Sequence, residues 1–332
     1  MFYKSIIFLL LSIIALIAPY RAYIDHEPYS KNKSIYIKEG SSINDAISQI
    51  INQNFINKIF LRYFLISHNI ETLKSGEYEI YKKTMSQIIF DMYEGNTITH
   101  KLIINEGINI YDLNNLINES NLINDCQYLN CIKTDFNFKE GILYPDTYFY
   151  KKNNFASDIL QKSHDRLKNY LDDLNFSSNN NDLDIEELLI LASIVEKEAG
   201  NNDEKKLIAG VFLRRLEERM RLQADPTIIY GLLPNFDGDI KKSNILDRNN
   251  KYNTYMIKGL PPSPIAISSL SSIDAVFKGK PGEFLYFVAD SKTSHHFSKT
   301  YQEHLNKIEE LGLNKWRLLA LKELKVLVNQ HK

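Results

Sequence analysis

The chain has 332 residues, a formal net charge of −1 and an apolar fraction of 44%. That length accommodates about two or three domains, and the apolar fraction supports a packed core. The balanced charge, with no long basic run, excludes broad electrostatic attraction to nucleic acid.

At the N-terminus Lys4 is followed by an uncharged stretch, Ser5 to Tyr20, rich in Ile, Leu and Ala and closed by Arg21. The stretch is about as long as a secretory h-region and shorter than the roughly 20 residues a spanning helix prefers. No clean small-x-small cleavage site follows, since Ala18 is succeeded by Pro19, Tyr20 and Arg21. This favours an uncleaved single-pass anchor over residues 1–23, with Tyr20 and Tyr23 suited to the membrane interface. A cleaved signal peptide is the alternative, and either exports the rest of the chain. In an exported protein Cys126 and Cys131 can pair, or stand as two ordinary cysteines. Without clustered histidines they form no zinc signature.

A polar linker over 24–33 leads to a small α+β module over 34–99. Its predicted elements are a strand from Ser34, a helix from Ile43 capped by Ser42, and an apolar segment Phe55 to Ile66. An alternating strand follows over 77–81, then a helix from Met85 that stops near Gly95. The pattern restarts at His100, where a larger mixed α+β domain is predicted over 100–332. Its elements are a strand at 102–104, a helix-loop-helix over 110–133, a turn at Pro145-Asp146 and a helix over about 156–173. The fold class is therefore α+β throughout, with helices expected against a mixed sheet.

Residues 184–200 carry the strongest chemical signal. Asp184 and Glu187 form a D-x-x-E cap, Gly200 suits a helix stop, and the intervening helix is apolar nearly all round, as in a buried helix. Leu191, Ile194 and Glu198 are spaced three and four apart, so Glu198 extends an apolar stripe. A poorly solvated carboxyl there suits a general acid. The same helix, taken alone, also allows Glu196 and Glu198 to sit at a solvated end beside Lys197. A second helix, 204–220, is expected to be capped by Asp203. In the segment Leu222 to Gly231, Gln223, Asp225 and Thr227 alternate. Read as extended, because Asp225-Pro226 disfavours helix, it turns three polar groups to one side, suited to sugar hydroxyls and amides. Beyond it lie Tyr252-Asn-Thr-Tyr255, a rigid loop Gly259 to Pro264, a buried-strand pattern Phe284 to Ala289, and His295-His296. Adjacent histidines point in different directions, so at most one of them faces a given site. A packing helix is expected over about 301–330. No metal-ligand spacing or phosphate loop is present.

Taken in order, these blocks resemble the endolytic murein transglycosylase, or YceG-like, family. The matching residues are Glu106-Gly107, Gly141-x-x-x-Pro-Asp-Thr-Tyr148, Leu191-Ala-Ser-Ile-Val-Glu-Lys-Glu198 and Leu222-Gln-x-Asp-Pro-Thr-x-x-Tyr-Gly231. Tyr252-Asn-Thr-Tyr-x-x-x-Gly-Leu-Pro-Pro262, Leu285-Tyr-Phe-Val-Ala289 and His296-Phe-Ser298 complete the set. The chain departs from the family pattern at Ser263, around Ile267-Ser268-Ser269, at Arg214-Arg215-Leu216 and at His304-Leu305-Asn306. The resemblance implies Glu198 as the catalytic acid/base, a membrane anchor, and a LysM-like membrane-proximal module. It implies cleavage of peptidoglycan glycan strands with 1,6-anhydromuramyl ends, at the inner membrane on its extracytoplasmic side, with peptidoglycan synthases as candidate partners and no cofactor. Gln223, Asp225, Thr227, Tyr252, Asn253, Glu196 and His296 are the expected substrate-site residues, Glu196 through its proximity to Glu198. Two rival readings stand beside it: a non-catalytic peptidoglycan-binding scaffold, and an aminodeoxychorismate lyase using pyridoxal phosphate, whose cytosolic substrate an exported chain would not meet.

Overall fold

A computed structural model describes residues 2–28, 33–174, 181–291 and 293–313. In its first helix the side chains at 2, 4, 5, 8–13 and 16 lie outside the described set. The chain forms two compact units, residues 1–101 with 149–154, and 102–148 with 155–332.

The first unit contains α1 (Phe2–Ile24), β1 (Ser34–Ile37), α2 (Ile43–Ser48), α3 (Phe55–Ser67), β2 (Gly76–Glu79) and α4 (Met85–Glu94). Each helix after α1 starts where its sequence supplies an oxygen for the free backbone N–H groups. Ser42 and Asn54 cap α2 and α3, Thr84 and Gln87 form a capping box on α4, and Gly95 ends α4 at φ 85°. β1 and β2 pair antiparallel, Ser34 opposite Glu79 and Ile37 opposite Gly76. Between them the order is β-α-α-β, around a core of Ile37, Ile47, Leu61, Phe64, Tyr78, Met85, Ile88, Ile89 and Met92. Tyr23 and Ile24, the last residues of α1, are buried in the same core. Among the described residues no helix is long and apolar enough to cross a membrane.

β3 (His100–Ile104) and β4 (Asp146–Tyr150) pair in a two-stranded sheet. The second unit continues with α5 (Ile110–Asn118), a 3-10 turn (Gln127–Leu129), α6 (Ala156–Asp172), α7 (Ile185–Glu198), α8 (Lys205–Glu217) and α9 (Asp225–Leu232). It ends with α10 (Lys242–Ile245), α11 (Leu270–Phe277), β5 (Tyr286–Ala289), β6 (His295–Ser298) and α12 (Tyr301–Glu310). Its core is helical. α7 packs on α8 and α11, and every side chain from Leu188 to Val195 is buried.

Several local expectations are corrected. No mixed sheet forms among the described residues: β5 and β6 make an antiparallel pair of their own, half-exposed rather than buried. The expected second helix of 110–133 is replaced by the 3-10 turn, because Cys126 and Cys131 form a disulfide with Cα atoms 5.0 Å apart. An α-helix would hold residues at that spacing about 9 Å apart. Gly200 is not a left-handed cap, since Ala199 closes α7 in extended conformation. A side chain at 200 would instead meet the Thr293 backbone at 2.8 Å. Asp203 does not cap α8; the N-cap is Glu204, and the Asn201 side chain accepts from the backbone N–H groups of both. The C-terminal helix is described only to Glu310, and the rest of its expected span lies outside the described residues.

Candidate active site

Glu198 is the last residue of α7. Leu191 and Ile194 below it are fully buried, while Glu198 is half-buried at the helix end. Its setting is not wholly apolar, as the spacing had implied. Arg215, on α8, is 6% exposed, and its charge is stabilised by Tyr255, Tyr286 and Glu198 against the burial that pulls it below its usual range. Arg215 Nε donates to the Leu285 carbonyl at 2.8 Å and Nη1 to the Leu222 carbonyl at 2.5 Å, while its guanidinium lies 5.5 Å from the Tyr286 ring centre. One buried cation thus ties together α8, the start of the Leu222–Gly231 segment and the strand β5. Sequence reasoning missed it, although the signal was present: Ile208, Val211, Phe212 and Arg215 share one face of α8, the same spacing that singled out Glu198.

The Leu222–Gly231 segment is not extended. α9 begins at Asp225, and Pro226 occupies its first turn, where a missing N–H costs nothing. The alternation therefore breaks, and the three polar residues part company. Thr227 is fully buried, its hydroxyl donating to the Ala224 carbonyl at 2.6 Å and bonded to Thr254 Oγ1 at 2.9 Å. Gln223, at φ 52°, and Asp225 stay half-exposed, and Asp225 Oδ1 accepts from the Tyr255 hydroxyl at 2.7 Å. Asn253 is fully buried as well. Its Nδ2 donates to the carbonyls of Asn244, Ile245 and Asp247 at 3.1, 3.0 and 2.9 Å. Thr227 thus holds the Gln223–Asp225 turn to the Tyr252–Tyr255 turn through Thr254, while Asn253 ties the second turn to α10 and Asp247; neither side chain has surface to offer a sugar.

Glu196 is also engaged elsewhere. Its Oε2 accepts from Ser269 N at 3.0 Å, Ser269 Oγ at 2.5 Å, Ser272 Oγ at 2.6 Å and Lys205 Nζ at 3.1 Å. Burial alone would raise its pKa, but the serine bonds and the Lys205 charge outweigh that and leave it lowered. These bonds join α7 to α8 and α11. Lys197, between the two glutamates, reaches the Gly107 carbonyl at 3.0 Å.

The two histidines of β6 diverge as expected of neighbours on a strand. His295 pairs with Glu204 at 2.8 Å, whereas His296 is exposed, opposite Val288. His304 of α12 stacks on Tyr286 at 5.3 Å, and burial, with Arg215 and His296 adding to it, lowers its pKa to about 4.

A second polar cluster involves Tyr252. Its hydroxyl bonds Ser263 Oγ at 2.8 Å, and its ring meets Tyr230 edge-on at 4.7 Å. Tyr230 in turn bonds Glu140, which is 4% exposed and accepts from the backbone N–H groups of Ile110 at 2.8 Å and Gly141 at 3.0 Å. Burial raises the Glu140 pKa to about 7. Gly141 sits at φ 71°, where a Cβ would lie 2.6 Å from Pro264, so the block containing Glu140 can pack on the Pro-rich loop only with glycine. Glu140 adjoins a recognised block but was not singled out from sequence, because burial and its tyrosine partner are tertiary facts.

Residues 35–310 match the YceG-like family. The chain belongs to that family. It is 28% identical, over 86% of its length and 87% of the relative's, to the endolytic murein transglycosylase of Bacillus subtilis. It is 30% identical to the protein of the same name from Streptococcus pneumoniae, over 52% of this chain and 32% of that one. A crystal structure of a YceG-like protein from Listeria monocytogenes superposes with a TM-score of 0.52 at 28% identity, covering 82% of this chain and 97% of that one. In this YceG-like chain the family blocks at 141, 191, 222, 252 and 285 all fall within the second unit. Among the described residues no group of His, Cys, Asp or Glu could hold a metal ion.

Proposed function

We propose that this YceG-like protein is an endolytic peptidoglycan transglycosylase, a lyase that cuts the bond from N-acetylmuramic acid to N-acetylglucosamine inside a glycan strand and terminates its growth. One observation carries the reading: a half-buried carboxyl, Glu198, ends a helix that is buried from Leu188 to Val195 and meets the charge of a buried arginine, in a chain that matches the family from residue 35 to 310.

In the proposed reaction Glu198, acting in its protonated form, gives its proton to the glycosidic oxygen as that bond breaks, releasing the N-acetylglucosamine end as an alcohol. The C6 hydroxyl of the same muramic residue bonds to its own C1 and returns its proton to the Glu198 carboxylate. The product carries a 1,6-anhydro ring, and no water is consumed. An internal nucleophile enjoys a high effective concentration, so the second carboxylate that ordinary glycosidases need is dispensable. Gln223 and Asp225 on the half-exposed turn, Tyr252 and exposed His296 are the candidates to hold the sugars. Arg215 fixes the orientation of that turn through the Leu222 carbonyl.

The uncharged run in α1 is read as a single-pass anchor in the inner membrane, with the chain that follows it on the extracytoplasmic side and peptidoglycan synthases as candidate partners. The β-α-α-β order of the first unit supports its reading as a LysM-like module.

The test is direct. Purified chain acting on uncrosslinked glycan strands is expected to leave 1,6-anhydromuramyl ends by mass spectrometry, and Glu198→Gln to leave none. Strands left intact by folded wild-type protein would favour the scaffold reading.

A further inference from the structure

We infer that α3 is a membrane-surface helix, which lies along an anionic lipid bilayer with its exposed apolar face in the interfacial zone. The inference rests on the reading of α1 as an anchor.

α3 buries one face, Leu61 and Phe64, in the core of the first unit. Its other face is apolar too. Phe55 is 79% exposed, Ile59 51%, Tyr63 60% and Ile66 66%, with Ile56 alongside. Positions 55, 59, 63 and 66 are four, four and three apart, a single stripe running the length of a 13-residue helix. Such a stripe costs solubility unless something covers it. Lys58 and Arg62, one turn apart, are exposed along one edge of the stripe, and α3 contains no acidic residue. Apolar face, aromatic residues, basic edge and absence of acids together describe a helix suited to lie in an anionic headgroup layer.

The location of the stripe identifies what covers it. The uncharged run of α1 ends at Tyr20, whose ring meets Tyr63 edge-on at 5.2 Å and Phe60 at 5.8 Å. Tyr23, three residues on, packs on Phe60 at 6.0 Å and is buried in the core of the unit. α1 therefore enters this unit as a fixed part of it, and its apolar segment arrives at the stripe itself. When that segment lies in a bilayer, Tyr20 reaches the interface, where aromatic rings are favoured, and α3 meets the headgroups at the same depth. A partner of another kind would have to share that edge with lipid.

The experiment uses the full chain in vesicles of phosphatidylglycerol and phosphatidylethanolamine. Trp316, the single tryptophan, is replaced by Phe, and one tryptophan is introduced as Ile59→Trp or, as a control on the exposed side of β2, as Glu79→Trp. Brominated lipids are expected to quench the Ile59→Trp chain at least about twofold more than the Glu79→Trp chain, and reversing both charges (Lys58→Glu with Arg62→Glu) to reduce that quenching. Equal quenching at 59 and 79, in chain that stays with the vesicles through a carbonate wash, would overturn the α3 inference and leave the anchor intact. Chain removed by the wash would overturn both. Blue-shifted but unquenched emission from the Ile59→Trp chain, with cross-links between copies, would show that a second chain covers the stripe and would also overturn the inference.

Discussion

Two glutamates two positions apart at the end of α7 have opposite fates. Glu196 is bound by two serines and a lysine, and its carboxylate welds α7 to α8 and α11. Glu198, at the last position of the helix, is half-buried and meets the charge of Arg215. A hundred-degree step per residue turns one carboxyl into the core and the other to the rim. The same division recurs in the Leu222–Gly231 segment, where Thr227 is an internal bracket and Gln223 and Asp225 remain accessible. Polarity in a family block therefore does not by itself distinguish a substrate contact from scaffolding; burial and partners do.

The largest effect that would sharpen this contrast is on rate. Glu198→Gln is expected to lower strand cleavage by about 10³-fold, within the range of general acid catalysis, with only a small fall in the thermal midpoint, since Arg215 keeps its two carbonyl partners and the Tyr286 ring. A large fall in stability would mean that Glu198 too is scaffolding.

Glu196→Gln is expected to do the reverse. It strands Lys205, 7% exposed, without its counter-charge, at a cost of about 3 kcal/mol in urea unfolding. The cleavage rate per folded molecule should remain within about threefold, roughly 0.6 kcal/mol, with its pH profile unmoved. Because the folded pKa of Glu196 is depressed, its contribution to stability is complete above the ordinary value of 4.5 and is lost as the pH falls below it. Glu196→Gln should therefore flatten the acid limb of the stability curve. A shifted cleavage profile would show that the two glutamates are coupled.

Glu140 tests the same logic with the opposite sign. Its folded pKa, raised from 4.5 to about 7 by burial, means that the folded state holds a proton that the unfolded chain has released. Stability should then fall as pH rises from about 4.5 to 7, by up to about 3 kcal/mol. Glu140→Gln should remove that slope, as read from urea midpoints across the range. A slope that survives the substitution would contradict the assignment. The smallest effect expected is from the disulfide: its short loop, Cys126 to Cys131, should contribute about 2 kcal/mol, lost in the double Ser variant with the cleavage rate retained.

Much of this was legible in the sequence. Caps and apolar periodicity located α2, α4, α6 and α7 closely, because those signals are local. The elements that went astray depend on partners distant in the chain. Asp225-Pro226 can end a helix or begin one, and only the Thr227–Thr254 pairing decides for a beginning. Gly200 resembles a helix stop, but its constraint is the Thr293 backbone. A mixed sheet was expected from strand-like runs whose pairing the sequence does not specify. At the site, Glu198 was accessible to reasoning through its spacing on α7. Arg215 carried the same spacing on α8 and was passed over, since a cation on an apolar stripe looks like a helix edge until its two carbonyl partners are known.

The most direct test of the central claim is isotopic. Glycan strands are cleaved by the full chain in H₂¹⁸O, and the new muramic ends are weighed. Intramolecular attack by the C6 hydroxyl predicts anhydro ends without ¹⁸O in the wild type and no new ends with Glu198→Gln. Reducing ends carrying ¹⁸O at C1 would contradict the account, because water would be the nucleophile and a second carboxylate would have to activate it.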